Sequence, residues 1–80
     1  MTVVYMISNE QYLNTHGYTN VKNMTKLSRH RALMRVIRSG ESPMGLFHRL
    51  KTLSILFKNK DRTSSKIFKE DRDWVKEKIL

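Results

Sequence analysis

The sequence predicts a small all-α domain of three main helices with an N-terminal extension. Apolar residues recur at spacings of three and four from Leu27 to Ile79, which is the period of amphipathic helices. The break at residues 39–43, Ser-Gly-Glu-Ser-Pro, combines a helix stop with a helix start. The length of 80 residues limits the chain to one domain, and the absence of cysteine excludes disulfides. A chain without cysteine also suits an intracellular protein, which we expect here.

The chain divides into a predicted N-terminal arm, residues 1–24, and a predicted basic three-helix domain, residues 25–80. The segment Val3–Ile7 is rich in β-branched residues and predicts a short strand. Such a strand could pair with its copy in a second chain, so the arm is a candidate dimerisation element and a homodimer is one expectation. A short helix over about residues 9–16 is predicted to follow, with Gly17 as its left-handed stop.

Capping chemistry sets the predicted ends of the main helices. We expect these helices over residues 25–39, 42–58 and 64–78. Thr25 and Ser42 each carry the side-chain oxygen that accepts a free N–H at a helix start. The second start is reinforced by the proline that follows it, because proline is favoured in the first helical position.

The predicted core follows from the apolar stripes of these helices. On the first helix, His30 falls on the same face as the apolar residues, while Arg29 points elsewhere. The expected core residues are Leu27, Leu33, Met34, Ile37, Leu46, Leu50, Leu53, Phe57, Ile67, Phe68, Trp74 and Val75.

The last helix places a carboxylate within its apolar face. Its predicted N-cap is Ser64 or Ser65, and Asp71 lies one turn from both Ile67 and Trp74. Burying an unpaired carboxylate costs free energy. We therefore predict that Asp71 accepts hydrogen bonds from an arginine, a lysine or a backbone N–H of a neighbouring helix.

Positive charge is concentrated in the middle of the chain. Sixteen Lys and Arg outnumber seven Asp and Glu, a formal net charge of +9, and residues 11–60 hold ten of these cations with Glu41 as their single acid. Arg31, Arg35 and Arg38 lie at i, i+4 and i+7, on one face of the first main helix. A solvated helix face and a polyanion-binding ridge are about equally good interpretations of that spacing.

A continuous basic strip would form if the apolar stripes of the first two main helices faced each other. Their flanking cations would then lie on one side of the pair and could follow a phosphate backbone. The predicted nucleic-acid-binding residues are Arg31, Arg35, Arg38, Lys51 and Lys58, supported by Lys22, Lys26 and Arg49.

The sequence contains no recognisable catalytic or metal-binding constellation. His16, His30 and His48 have no ligand-like spacing to one another or to a carboxylate, and the three glycines are isolated. We predict no enzymatic activity, no metal, no cofactor and no small-molecule substrate. The apolar run near the N-terminus is too short to span a bilayer, and the apolar helix faces are better used on each other, so no membrane partner is predicted.

Two functions of different classes remain. A helical domain with pI near 10.3 has the electrostatic character of a nucleic-acid binder, and its first basic helix has no Asn or Gln for reading bases. That combination favours sequence-tolerant binding to the backbone, with DNA favoured over RNA. The alternative is a structural or interaction protein whose basic face meets an acidic protein.

Several short segments carry a resemblance to a known family. They are Gly17-Tyr18, Arg29, Arg31-Ala32-Leu33, Phe47-His48-Arg49-Leu50-Lys51, Lys58-Asn59-Lys60, Ser65-Lys66-Ile67-Phe68-Lys69 and Asp71-Arg72-Asp73-Trp74. In these segments the chain resembles a family of small, basic, uncharacterised proteins of nucleocytoplasmic large DNA viruses. The resemblance implies a viral protein of the virion or the replication compartment, with a role in genome packaging or condensation, or in virion assembly. It implies no cofactor.

Overall fold

The computed structural model describes residues 9–80, with side chains from Tyr12 onward. This part of the chain contains helices and turns but no strand, which confirms the predicted all-α class. The predicted strand Val3–Ile7, and with it the dimerisation element, lies outside the described residues. The helices are α1 (Asn9–Asn14), α2 (Lys26–Arg38), α3 (Pro43–Leu56) and α4 (Arg62–Lys78), with a single 3-10 turn at Val21–Asn23 between α1 and α2.

The helix starts follow capping chemistry, with one correction. The Thr25 hydroxyl accepts the Ser28 N–H at 3.0 Å, and the Ser42 hydroxyl accepts the Gly45 N–H at 2.9 Å, as predicted. The N-cap of α4 is Asp61 rather than Ser64 or Ser65. A carboxylate caps as well as a hydroxyl and also complements the positive end of the helix dipole, so α4 begins two residues earlier than predicted.

The most extensive helix contact is between α3 and α4. A short turn joins them, so they pack as an antiparallel pair. The Ser65 hydroxyl donates to the carbonyl of Ser54 at 2.6 Å, which ties the start of α4 to the end of α3. The contact between α2 and α3 is smaller. The pairing of α2 with α3, on which the predicted continuous basic strip depends, is therefore not the main helix contact.

The core also draws on the segment before α2. Leu13, Tyr18 and Val21 are buried, although the sequence interpretation assigned them to the arm. Gly17 turns the chain at a φ of +89°, and the Tyr18 N–H donates to the Leu13 carbonyl at 3.0 Å. Among the residues whose side chains are described, the buried apolar set is Leu13, Tyr18, Val21, Ala32, Leu33, Val36, Leu46, Leu50, Leu53, Phe68 and Val75.

Helix α2 is rolled about its axis relative to the prediction. Leu27, expected in the core, is 59% exposed, whereas Arg29 and Val36 are buried. The buried side of α2 is therefore the row at i, i+3, i+4 and i+7 that starts from Arg29. Met34, also expected in the core, is only partly buried and lines a surface depression instead. The predicted core residues Ile37, Phe57, Ile67 and Trp74 are partly buried and pack against the edge of the core.

Because of this roll, the smaller truncation on α2, Val36→Ala, should destabilise the fold more than the larger one, Leu27→Ala. Val36→Ala should lower the free energy of unfolding by about 1–2 kcal/mol because it opens a cavity in the core. Leu27→Ala removes more atoms yet should change that free energy by about 0.5 kcal/mol or less, because the side chain is mostly in water. Urea denaturation of both variants measures the difference. An equal or larger cost for Leu27→Ala would contradict the observed roll.

Candidate polyanion-binding surface

A buried charge cluster holds α2 against α4. Asp71, only 1% exposed, accepts two hydrogen bonds at Oδ2. Arg29 Nε donates one at 2.8 Å and the Tyr18 hydroxyl donates the other at 2.6 Å. Burial, together with the negative charge of Asp71, raises the pKa of the Tyr18 phenol far above its usual range, so the phenol stays a donor. The prediction that Asp71 is paired inside the fold is confirmed.

His30 lies beside this cluster. Its ring stacks on Trp74, with centroids 3.9 Å apart and planes 11° from parallel. His30 Nε2 is 3.6 Å from Asp71 Oδ1, which is too far for a hydrogen bond. That oxygen is buried and has no hydrogen-bond partner among the described residues. Desolvation by burial is the largest effect on His30 and lowers the pKa of its imidazole, although Asp71 opposes the shift.

The cluster determines which side of α2 faces solvent. With Arg29 turned inward, Arg31, Arg35 and Arg38 are all exposed. They surround a shallow depression of about 410 Å³ whose apolar lining includes Leu27 and Met34. We call these five residues the α2 surface. Within the described residues, none of its three arginines forms an ion pair with an acid.

Arg35 has a second, structural contact. Its Nε donates to the backbone carbonyl of His16 at 3.1 Å. A Cβ added at Gly17 would lie 2.6 Å from Arg35 Nη2, so glycine gives this guanidinium room beside the turn. Arg31 and Arg38 are therefore the cleaner probes of ligand binding.

Two of the supporting cations have partners within the chain. Lys22 Nζ lies 2.7 Å from Asp61 Oδ2, and this contact, reinforced by the Ser64 N–H, lowers the pKa of the Asp61 carboxyl to about 2. Arg49 pairs with Glu41, and its guanidinium lies 4.0 Å from the centre of the Tyr12 ring. These contacts fasten the N-terminal segment and the α2–α3 connection to the rest of the fold.

The remaining predicted cations are not neighbours of the α2 arginines in one depression. Lys26 lines an acidic groove between α2 and α4, together with Glu70 and Glu77. Lys51 is exposed on α3. Lys58 lies in the turn after α3, because that helix ends at Leu56 rather than near residue 58.

A second basic surface was missed by the sequence interpretation. Lys58, Arg62, Lys66 and Lys69 line one depression of about 390 Å³, together with Asn59 and Ser65. We call these six residues the α4 surface. The missed signal is the order of charges along α4: residues 62–69 hold three cations and no acid, whereas residues 70–77 hold four acids and two cations. The sequence interpretation considered the charge of the helix as a whole, which hides the difference between its basic first half and its acidic second half.

The acids of α4 do not neutralise that surface. Asp73 pairs with Arg72 at 2.8 Å, and Glu70 lies 3.8 Å from Arg29. Neither Lys66 nor Lys69 forms an ion pair with an acid within the described part of the chain.

In a comparison with protein families, residues 11–80 match DUF5771, a family of unknown function. The chain belongs to the DUF5771 family. The match covers both basic surfaces and the buried charge cluster. No curated protein and no solved structure matches the chain. The description of DUF5771 names no virus and no activity, so the viral resemblance remains a prediction.

Two other kinds of site have a chemistry that the described residues of this DUF5771 chain would have to supply: the ligands that a metal needs and the apolar length that a bilayer needs. No group of three or more His, Asp or Glu residues there could hold a metal ion. None of the described helices is both long enough and apolar enough to cross a membrane. The features with a clear chemical character are the two basic surfaces and the acidic groove.

The lowered pKa of His30 predicts a pH dependence of stability. The unfolded chain takes up a proton near the ordinary histidine pKa of 6.5, whereas the folded chain resists protonation until lower pH. The contribution of His30 to stability is therefore complete above pH 6.5 and declines as the pH falls below it.

The charged groups around His30 act in both directions. Arg29 and Lys26 on α2 disfavour protonation of the imidazole, while Asp71 on α4 favours it. Glu70, Asp73 and Glu77 of α4 line the same groove.

Urea unfolding at several pH values between 5 and 8, on the parent and on His30→Gln, tests this assignment. The parent should lose more stability on acidification than the variant, since other titrating groups cancel in the comparison. Equal losses would show that His30 is not the group responsible.

Proposed function

We propose that this protein binds nucleic acid without catalysing a reaction, through contacts of the α2 surface with the phosphate backbone. The observation that carries the proposal is the group of three exposed arginines, Arg31, Arg35 and Arg38, around one depression with no acid paired to them in the described residues. Guanidinium groups bind phosphate oxygens through paired hydrogen bonds. Each phosphate neutralised also releases counterions, which drives binding.

Sequence-tolerant binding follows from what α2 lacks. Its exposed side offers arginines, Leu27 and Met34, and the helix contains no Asn or Gln to read adenine. Contacts to phosphates give affinity and orientation but carry no sequence information. The net charge of +9 adds long-range attraction to any nucleic acid. DNA is the favoured ligand, and genome packaging or condensation is the role we propose on the viral resemblance.

A second candidate function has its own supporting observation. Leu27 is 59% exposed within a ring of arginines, an arrangement similar to a small apolar interface centre with a charged rim. Such a surface would suit an acidic protein partner in a virion or an assembly complex. The two functions differ in their dependence on duplex DNA.

Replacing Arg31 and Arg38 with Ala tests the nucleic-acid proposal. The double variant should bind random-sequence duplex DNA more weakly, and the slope of log K against log salt should flatten by about 1–2 units. Its melting temperature should barely change, because exposed charges contribute little to folding. Fluorescence anisotropy across a salt series measures both the affinity and the slope.

The matched control is Lys76→Ala with Lys78→Ala, which removes the same charge from exposed positions near the end of α4. The control should keep most of the affinity and the slope of the parent. If both double variants lose binding equally, net charge rather than the α2 surface is responsible. Tight binding of polyglutamate with no measurable binding of duplex DNA would favour the acidic-protein partner.

A further inference from the structure

The α4 surface has the features of a phosphate-binding site in its own right. Arg62, Lys66 and Lys69 follow one another at i, i+4 and i+7 along α4, and Lys58 joins them from the preceding turn. The row spans about 10 Å along the helix axis. That length allows the cations of the row to contact neighbouring phosphates of one strand.

The backbone that carries these cations is held in place. Ser64 and Phe68 are buried beneath the row, and Ser65 is bonded to the end of α3. Two acids flank the row in the sequence, and both lie against other cations. Asp61 is paired with Lys22 and caps the helix, and Glu70 lies 3.8 Å from Arg29. Exposed cations on a fixed helix offer charge to a ligand without the cost of ordering the backbone.

The two basic surfaces are separate. They share no residue, and the groove between α2 and the C-terminal half of α4 is lined by the carboxylates of Glu70, Asp73 and Glu77 beside Lys26. A phosphate backbone that crossed from one surface to the other on that side of the molecule would meet these carboxylates. Repulsion there favours two bound segments over one segment that covers both surfaces.

We propose that the α4 surface is a second binding site for the phosphodiester backbone, so that one molecule bridges two segments of nucleic acid. This inference rests on the nucleic-acid binding proposed for the α2 surface and goes beyond it, because bridging draws separate duplexes together whereas one surface only coats them. Because one chain carries both sites, a segment bound at the first raises the effective concentration of the second site near neighbouring nucleic acid.

The test compares three triple variants of the full chain. The first, Arg62→Ala with Lys66→Ala and Lys69→Ala, removes the α4 surface. The second, Arg31→Ala with Arg35→Ala and Arg38→Ala, removes the α2 surface. The control, Lys60→Ala with Lys76→Ala and Lys78→Ala, removes the same charge from exposed positions outside both surfaces. Circular dichroism establishes that each variant is folded.

Bridging is measured as capture of a fluorescent duplex by beads that carry a second duplex. The α4-surface variant should lose at least about tenfold in capture, yet its affinity for a single duplex should fall by only about twofold, the loss of one of two sites. The control variant should retain both activities. Capture by the α4-surface variant equal to that of the control would overturn the inference and leave the proposed function intact.

A second measurement tests the site without duplex DNA. Titration with inorganic tripolyphosphate should shift the backbone amide resonances of residues 58–69 in the parent and in the α2-surface variant. The α4-surface variant should not show these shifts. If shifts at residues 58–69 are no larger than those around Lys76, the α4 surface binds no phosphate. If they occur but the parent binds no duplex, the proposed function and the bridging both fail and only a phosphate site remains.

Discussion

The contact between Arg29 and Asp71 determines the rotation of α2 about its axis, and with it which side of the helix packs on the rest of the protein. Both side chains are buried, so each charge needs the other: an unpaired buried carboxylate or guanidinium would cost several kcal/mol. Once Arg29 points inward, the 100° step of the helix leaves Ala32, Leu33 and Val36 on the core side. The same rotation turns Arg31, Arg35 and Arg38 outward. The buried pair and the α2 surface are thus two consequences of one helix orientation.

The remaining charges fall into those used by the fold and those left for a ligand. Lys22 and Arg49 neutralise Asp61 and Glu41, and both pairs close connections between helices. The three exposed arginines of α2 and the cations of the first half of α4 have no such acids in the described chain, whereas the acids of the second half of α4 line a different groove, beside Lys26. The net charge of +9 therefore does not describe the electrostatics of the surface, because cations and acids lie on different parts of it.

Local features of the fold were predictable from the sequence, and features that depend on distant contacts were less so. The caps at Thr25 and Ser42 and the turn at Gly17 act within a few residues, so their chemistry can be read directly. The roll of α2 depends on a pair 42 residues apart in sequence. The stripe that includes Leu27 and the stripe that starts at Arg29 have the same helical period, and periodicity alone cannot choose between them.

One available constraint would have chosen the correct stripe. Asp71 was predicted to need a buried donor, and α2 supplies one with Arg29 in line with apolar residues. Tyr18 had no such signal, because it lies in a polar connection without periodicity and enters the core through its bond to Asp71. Of the candidate site, the α2 arginines were predictable as an exposed row. The α4 surface was not, because it joins a turn residue, Lys58, to a helix in which four acids offset most of the six cations.

The most direct test of this account is a double-mutant cycle between Arg29 and Asp71. Arg29→Met and Asp71→Leu, alone and together, are compared by the free energy of unfolding in urea. Each single variant leaves one buried charge without its partner, so we expect both to be strongly destabilised, and the double variant to recover a coupling energy of about 2–3 kcal/mol. If the two single losses of unfolding free energy add to that of the double variant within about 0.5 kcal/mol, this contact does not determine the orientation of α2.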